Sequence, residues 1–163
     1  MNKINVGVFM GGISAENEVS FNSGRTICDH LDVSLFNIIP IYQANNKHIY
    51  ILPWRFLHRG KTSDFEHRLE KEAENISWDN LKNKIDFAYI AMHGTDGEDG
   101  KLQGFLEILQ IPYLGSNVFS SALGMDKEKQ KAFLAIHNIK TPTSILLTAD
   151  QINKKDLEKK IKK

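Results

Sequence analysis

Three short stretches carry the residues best suited to chemistry. GGISAENEVS (11–20) contains Glu16 and Glu18, HGTDGEDGKLQG (93–104) contains His93, Asp96, Glu98 and Asp99, and SALGMDKEKQK (121–131) contains Lys127. Carboxylates can hold a cation, histidine can move a proton near neutral pH, and lysine can neutralise an anion. Several familiar constellations fail on spacing. Counted from Asp96, a calcium loop would need its turn glycine at position six, where Lys101 stands. A Walker loop around Gly100-Lys101 would need glycine where Thr95 stands and a hydroxyl where Leu102 stands. No G-x-G-x-x-G follows the first apolar run, which argues against an ordinary dinucleotide fold, and no G-x-S-x-G elbow supports a hydrolase. Each residue alone also has a plain reading. A glutamate shortly after a strand commonly sits in a helix's first turn, a histidine at a strand end can bond nearby backbone, and Lys127 fits a solvated charged helix face.

The elements that must position these residues follow from periodicity. Phe87–Met92 is a short apolar run of the kind that forms a strand buried on both faces. His93 follows, then a loop with Gly94, Gly97 and Gly100, a residue type that can turn tightly and approach a ligand. From Lys101 the period becomes helical, with Leu102, Phe105, Leu106 and Leu109 on one face. In open α/β sheets, ligands bind at the carboxyl ends of strands, which is where this loop falls. A second such junction lies earlier: Lys3–Met10 reads as a strand broken by Gly11-Gly12, followed by a helix to about Leu31 with Val19, Ile27 and Leu31 inward. Ser14 and Ser20 are candidate caps for that helix, and Ser23 and Gly24 are small enough to let it lie close on a sheet.

The rest of the chain alternates in the same way. Phe36–Tyr42 reads as a strand whose Pro40 suggests a strand end or an edge. Between Gln43 and Lys84 the pattern weakens into what resembles a tolerated insertion, with a possible strand over His48–Pro53 and a charged surface helix over Asp64–Asn75. Ile111–Gly115 reads as a short strand, Val118–Leu123 and Glu128–Asn138 as helices, and Thr143–Thr148 as an extended run. The final lysine-rich segment has Leu157 and Ile161 four apart and no stop signal, the pattern of an N-terminal part of a longer protein. The alternation predicts a three-layer α/β/α domain with a mostly parallel sheet.

Composition agrees. The 163 residues suit one domain or one plus part of another, 41% apolar and 25% charged residues are ordinary for a globular protein, and a net charge of +1 gives no pull toward nucleic acid or membrane. The single cysteine, Cys28, excludes an internal disulfide framework and fits a reducing cytoplasm.

Taken together and in order, GGISAENEVS, HGTDGEDGKLQG, IPYLGS and SALGMDKEKQK resemble the D-alanine–D-alanine ligases of the ATP-grasp superfamily, over Asn5 to Pro142 apart from 43–84. Ile13 departs from the threonine or lysine more usual there. The resemblance implies an N-terminal substrate domain over 1–112 of pre-ATP-grasp type, with 113–163 opening the central ATP-grasp domain. It implies that Glu16 holds the ammonium of the first D-alanine, that Val19 and His93 border the same substrate, with Glu16 and His93 as the catalytic pair, and that Glu98 supports the loop. Lys127 would reach the nucleotide phosphates. It further implies ATP and magnesium, the magnesium ligands lying beyond residue 163, a role in peptidoglycan precursor synthesis in the cytoplasm, and a homodimer. Sister ligases with D-lactate or D-serine as second substrate, and a non-catalytic α/β dimerisation module, remain alternatives.

Overall fold

The computed structural model describes residues 3–58 and 60–148. Six strands form one mixed sheet: β1 (Ile4–Gly11), β2 (Phe36–Gln43), β3 (Ile49–Ile51), β4 (Glu74–Ile76), β5 (Phe87–Ile90) and β6 (Tyr113–Leu114), in the order β4-β3-β2-β1-β5-β6. The pairs β1–β2, β1–β5 and β5–β6 are parallel, whereas β3 and β4 extend the sheet antiparallel. Side-chain alternation along β1 explains the layering, because successive residues point to opposite faces. Val6, Val8 and Met10 pack on one side with α1 (Asn17–His30), and Phe9 packs on the other with α4 (Lys101–Ile108). The domain is therefore α/β with a mostly parallel sheet, and β5 lies inside it, between β1 and β6.

The helix α1 lies close on its face because Gly24 has no side chain: a Cβ there would come within 2.6 Å of Met10 Cβ. Its buried residues are Ser20, Phe21, Gly24 and Cys28, while Ile27 and Leu31 pack at the margin. Val19 does not face inward; it is 51% exposed. It lies two residues before Phe21, and a helix turns about 200° over two residues, so the two cannot share a face. Neither expected serine is the N-cap. The helix begins after Glu16, and Ser14 instead shapes the preceding turn by accepting from the Glu16 amide at 3.1 Å.

The stretch 43–84 is part of the core rather than an insertion laid on it. Beyond β3 and β4, it brings Phe56, Leu57, Phe65 and Leu69 to the α1 face and Leu81 to the α4 face, all buried. Phe65 is the hub: its ring centroid lies 5.1 Å from both Phe21 and Phe56, and 5.3 Å from Tyr42. A fully buried phenylalanine contributes about 2 kcal/mol. Residues 64–75 form no continuous helix. They fold as 3-10 turns (Thr62–Asp64, Glu66–Arg68), the four-residue α3 (Leu69–Glu72) and the start of β4, with α2 (Trp54–Leu57) before them. Pro40 sits in an interior strand. Its carbonyl accepts from Leu52 N just past the β3 ladder, so its missing donor falls where that pairing ends.

The chain divides into compact units after Met125. The first ends with β6 and α5 (Val118–Met125); the second contains α6 (Lys127–Ile136), N-capped by the Asp126 side chain, which accepts from Lys129 N. Residues 139–148, which include the run Thr143–Thr148, contain no helix or strand, and the lysine-rich C-terminal segment lies outside the described residues.

Candidate functional site

Two loops leave the sheet side by side at the carboxyl ends of β1 and β5. A Cβ on Gly12 would come within 2.8 Å of Met92 Cε, and a Cβ on Gly94 within 2.5 Å of Ser14 Oγ and 3.3 Å of Glu16 Oε2. Gly94 holds φ +73, so both conformation and space require glycine there. The Glu16 carboxylate therefore lies against the residue that follows His93. It is exposed and makes no hydrogen bond or ion pair among the described residues.

His93 is held from α1. Its backbone N–H donates to Ser20 Oγ at 2.9 Å, Ser20 Oγ donates in turn to Glu16 O at 3.0 Å, and the ring Nε2 lies 3.0 Å from Ser23 Oγ. Ser20 and Ser23 thus tie the two loops together through the first two turns of one helix. By sequence alone Ser20 reads as a cap and Ser23 as a small packing residue. The available signal was their spacing of three, which puts two hydroxyls on one helix face.

The loop after His93 is closed by its own side chains. Glu98 Oε2 accepts from Gly94 N at 2.7 Å. Asp99 accepts from the amides of Asp96 and Lys101, and Lys101 Nζ bridges Asp96 Oδ1 at 3.2 Å and Asp99 Oδ2 at 2.6 Å. Burial pushes the Asp99 carboxyl up, but the hydrogen bonds from Lys101 and the two amides outweigh it and hold it below the usual carboxylate range. The same pair raises the Lys101 ammonium. These acids are spent on loop geometry. Among the described residues no three His, Cys, Asp or Glu side chains form a group that could hold a metal ion.

The other expected residues fall in different places. Val19 stands exposed on α1, one turn on from Glu16. Glu18 is turned away to Thr62, whose N–H and Oγ1 donate to it at 2.9 and 2.6 Å. Lys127 is exposed at the start of α6, in the second compact unit. A cavity of about 330 Å³ includes Asp96, Lys101, Trp78 and Phe105 in its wall, but none of Glu16, Val19, His93 or Glu98 lines it. Cys28 offers no nucleophile, because burial, reinforced by Asp29, pushes its thiol up to about 12.

Comparison with known proteins shows the family of the chain. Residues 5–116 match the family described as D-ala D-ala ligase N-terminus. A D-alanine–D-alanine ligase of Halothermothrix orenii is 38% identical over 144 residues, covering 85% of this chain and 41% of that protein. The structure of the D-alanine–D-alanine ligase from Coxiella burnetii superposes with TM-score 0.81 at 29% identity, over 98% of this chain and 50% of that one. That of the Bacillus anthracis ligase complexed with ATP gives TM-score 0.63 at 33% identity, over 99% and 43%. The chain thus spans half or less of the length of these relatives. With a family match over most of its length and a sheet of the same architecture, the chain belongs to the family of D-alanine–D-alanine ligase N-terminal domains.

Proposed function

We propose that this chain forms the first-substrate side of an ATP-dependent ligase that joins two D-alanines for peptidoglycan precursors in the cytoplasm. In this reading 1–112 is the substrate domain and 113–163 leads into the ATP-grasp domain. The observation that carries it is the unpaired Glu16 carboxylate lying against Gly94, beside a histidine held by two serines of the same helix. A carboxylate without a protein partner at a strand end is suited to an ammonium, and a charge-assisted hydrogen bond there is stronger than a neutral one. Glu16 holds the amine of the first D-alanine, His93 and Val19 border it, and Glu98 fixes the loop. Lys127 neutralises phosphate charge. In the reaction the first D-alanine carboxylate takes the γ-phosphoryl group of ATP and releases ADP. The second amine then attacks the acyl phosphate, loses a proton and expels phosphate.

Magnesium, when bound, neutralises phosphate charge in such transfers. The described residues of this chain do not fit it, since their loop acids are already engaged. Positioning is what this domain contributes.

Glu16→Gln in the complete enzyme tests the reading. Removing a charge-assisted bond is expected to lower kcat/KM for D-alanine about ten- to hundredfold, with the KM for ATP unchanged. Unaltered D-alanine kinetics would leave Glu16 as a helix-start residue and sink the proposal. Offering D-lactate or D-serine with D-alanine distinguishes the sister ligases. Light scattering of the full-length protein tests the homodimer, which a monomeric mass at micromolar concentration would refute.

A further inference from the structure

We propose that Ser23 sets the tautomer of His93. The Ser23 hydroxyl donates to Nε2, keeps the ring proton on Nδ1, and so leaves Nδ1–H as a donor for the anionic end of a ligand whose ammonium meets Glu16. The inference rests on the reading above that His93 borders a substrate subsite.

The helix α1 uses its hydroxyls in two ways. Of its three hydroxyl residues, two bond back to the carbonyl four residues earlier, Ser20 to Glu16 O at 3.0 Å and Thr26 to Asn22 O at 2.9 Å. This is the habitual partner of a serine or threonine in a helix. Ser23 makes no such bond among the described residues; its oxygen lies instead 3.0 Å from His93 Nε2. A neutral imidazole has one donor and one acceptor, and which is which follows from the partner of each nitrogen. With the proton on Nε2, Ser23 would accept and its own hydroxyl proton would have no acceptor among the described residues. With the proton on Nδ1, Ser23 O–H donates to Nε2 and both groups are satisfied. Nδ1 has no partner among the described residues, so it is the ring's unspent group.

Ser20 makes the geometry firm. It accepts the His93 amide at 2.9 Å and is 0% exposed, so the backbone that carries the ring is fixed to the helix that carries Ser23. Ser23 is therefore a positioning residue. It acts on the ligand only through the imidazole, and the site has complementary ends: a carboxylate at Glu16 and an N–H at His93, matching an amino-acid zwitterion.

The test is nitrogen NMR on the complete enzyme with labelled imidazoles, the His93 signals being identified by their loss in His93→Gln. The expected wild-type pattern has a bare Nε2 and a protonated Nδ1. Ser23→Ala is expected to swing the tautomer ratio toward Nε2–H by about fivefold, the equivalent of one hydrogen bond, and Ser23→Thr to restore the wild-type pattern. A wild-type proton on Nε2, or a Ser23→Ala pattern identical to wild type, would overturn the assignment. A D-alanine titration separates the two levels. Failure of D-alanine to move the His93 signals, with the tautomer results intact, would count against the subsite and leave the Ser23 assignment standing.

Discussion

The two loops at the carboxyl edge of the sheet are built on opposite plans. Beyond His93, the loop from Gly94 to Lys101 spends most of its polar groups on itself: Glu98 on the Gly94 amide, Asp99 on two amides, and Lys101 on two carboxylates. The loop from Gly11 to Glu16 has few such bonds. It is shaped by backbone that fits where no side chain could, and it leaves its carboxylate unpaired among the described residues. A self-satisfied loop gives a fixed wall, and an unsatisfied carboxylate beside it gives the group that a ligand must complete. Acidic residues in a glycine-rich loop are thus no guide to ligand binding until their partners are known.

The contrast breaks most readily at Gly11. It holds φ +79, and an added Cβ would lie 2.4 Å from Tyr42 Cε2 and 2.7 Å from Gln43 O. Gly11→Ala combines backbone strain with overpacking and should cost about 3 kcal/mol in urea unfolding. A loss well under 1 kcal/mol would show that the first loop is not shaped by close fit. Glu98→Ala should cost about 1 kcal/mol and speed exchange of the Gly94 amide, while Glu98→Gln, which keeps an acceptor, should restore most of both. Equal effects from the two variants would mean that the Glu98 bond does not hold the loop.

Asp99 sharpens the comparison through pH. Its carboxyl is lower in the folded protein than in the unfolded chain, so its contribution is complete above the ordinary value of about 3.9 and fades as pH falls through the lower folded value. Asp99→Asn should therefore flatten the acid limb of the stability curve below about pH 4 and leave its shape near neutrality alone. An unchanged acid limb would remove Asp99 from the network. The smallest expected effect is at Glu16. An exposed side chain without a partner can be changed to glutamine within about 0.5 kcal/mol, so Glu16→Gln should leave the unfolding midpoint in place even where binding is lost. A loss above 1 kcal/mol would make Glu16 a structural residue, like Glu18.

These loops were also the most legible part of the sequence. A buried strand, a glycine-rich turn and a helix with Leu102, Phe105 and Leu106 on one side form a pattern that local physics dictates, and β5, the loop and α4 stand where it puts them. Residues 43–84 were opaque for an equally physical reason. Strands of three residues and single 3-10 turns are too short to show a period, although they place Phe56 and Phe65 in the core. Val19 misled because an apolar residue early in an amphipathic pattern reads as core, whereas here the buried stripe runs through Ser20, Phe21, Gly24 and Cys28. The unpaired state of Glu16 could not be read at all. Of two neighbouring glutamates only Glu18 finds a partner among the described residues, Thr62, and its bonds reach a residue that lies 44 positions further along the chain.

Those bonds also set an order of events at the ribosome. Thr62 lies 44 residues after Glu18, and the Ser20–His93 bond spans 73 residues. At about 5–20 residues per second of synthesis, the start of α1 waits roughly 2–9 s for its first tether and about 4–15 s for its second. The helix nascent before then is short and marginal alone. The end of α1 that carries Glu16 is thus translated early and finished late, and the interval is one in which a slow stretch of codons or a bound chaperone would act on the site without touching any residue in it.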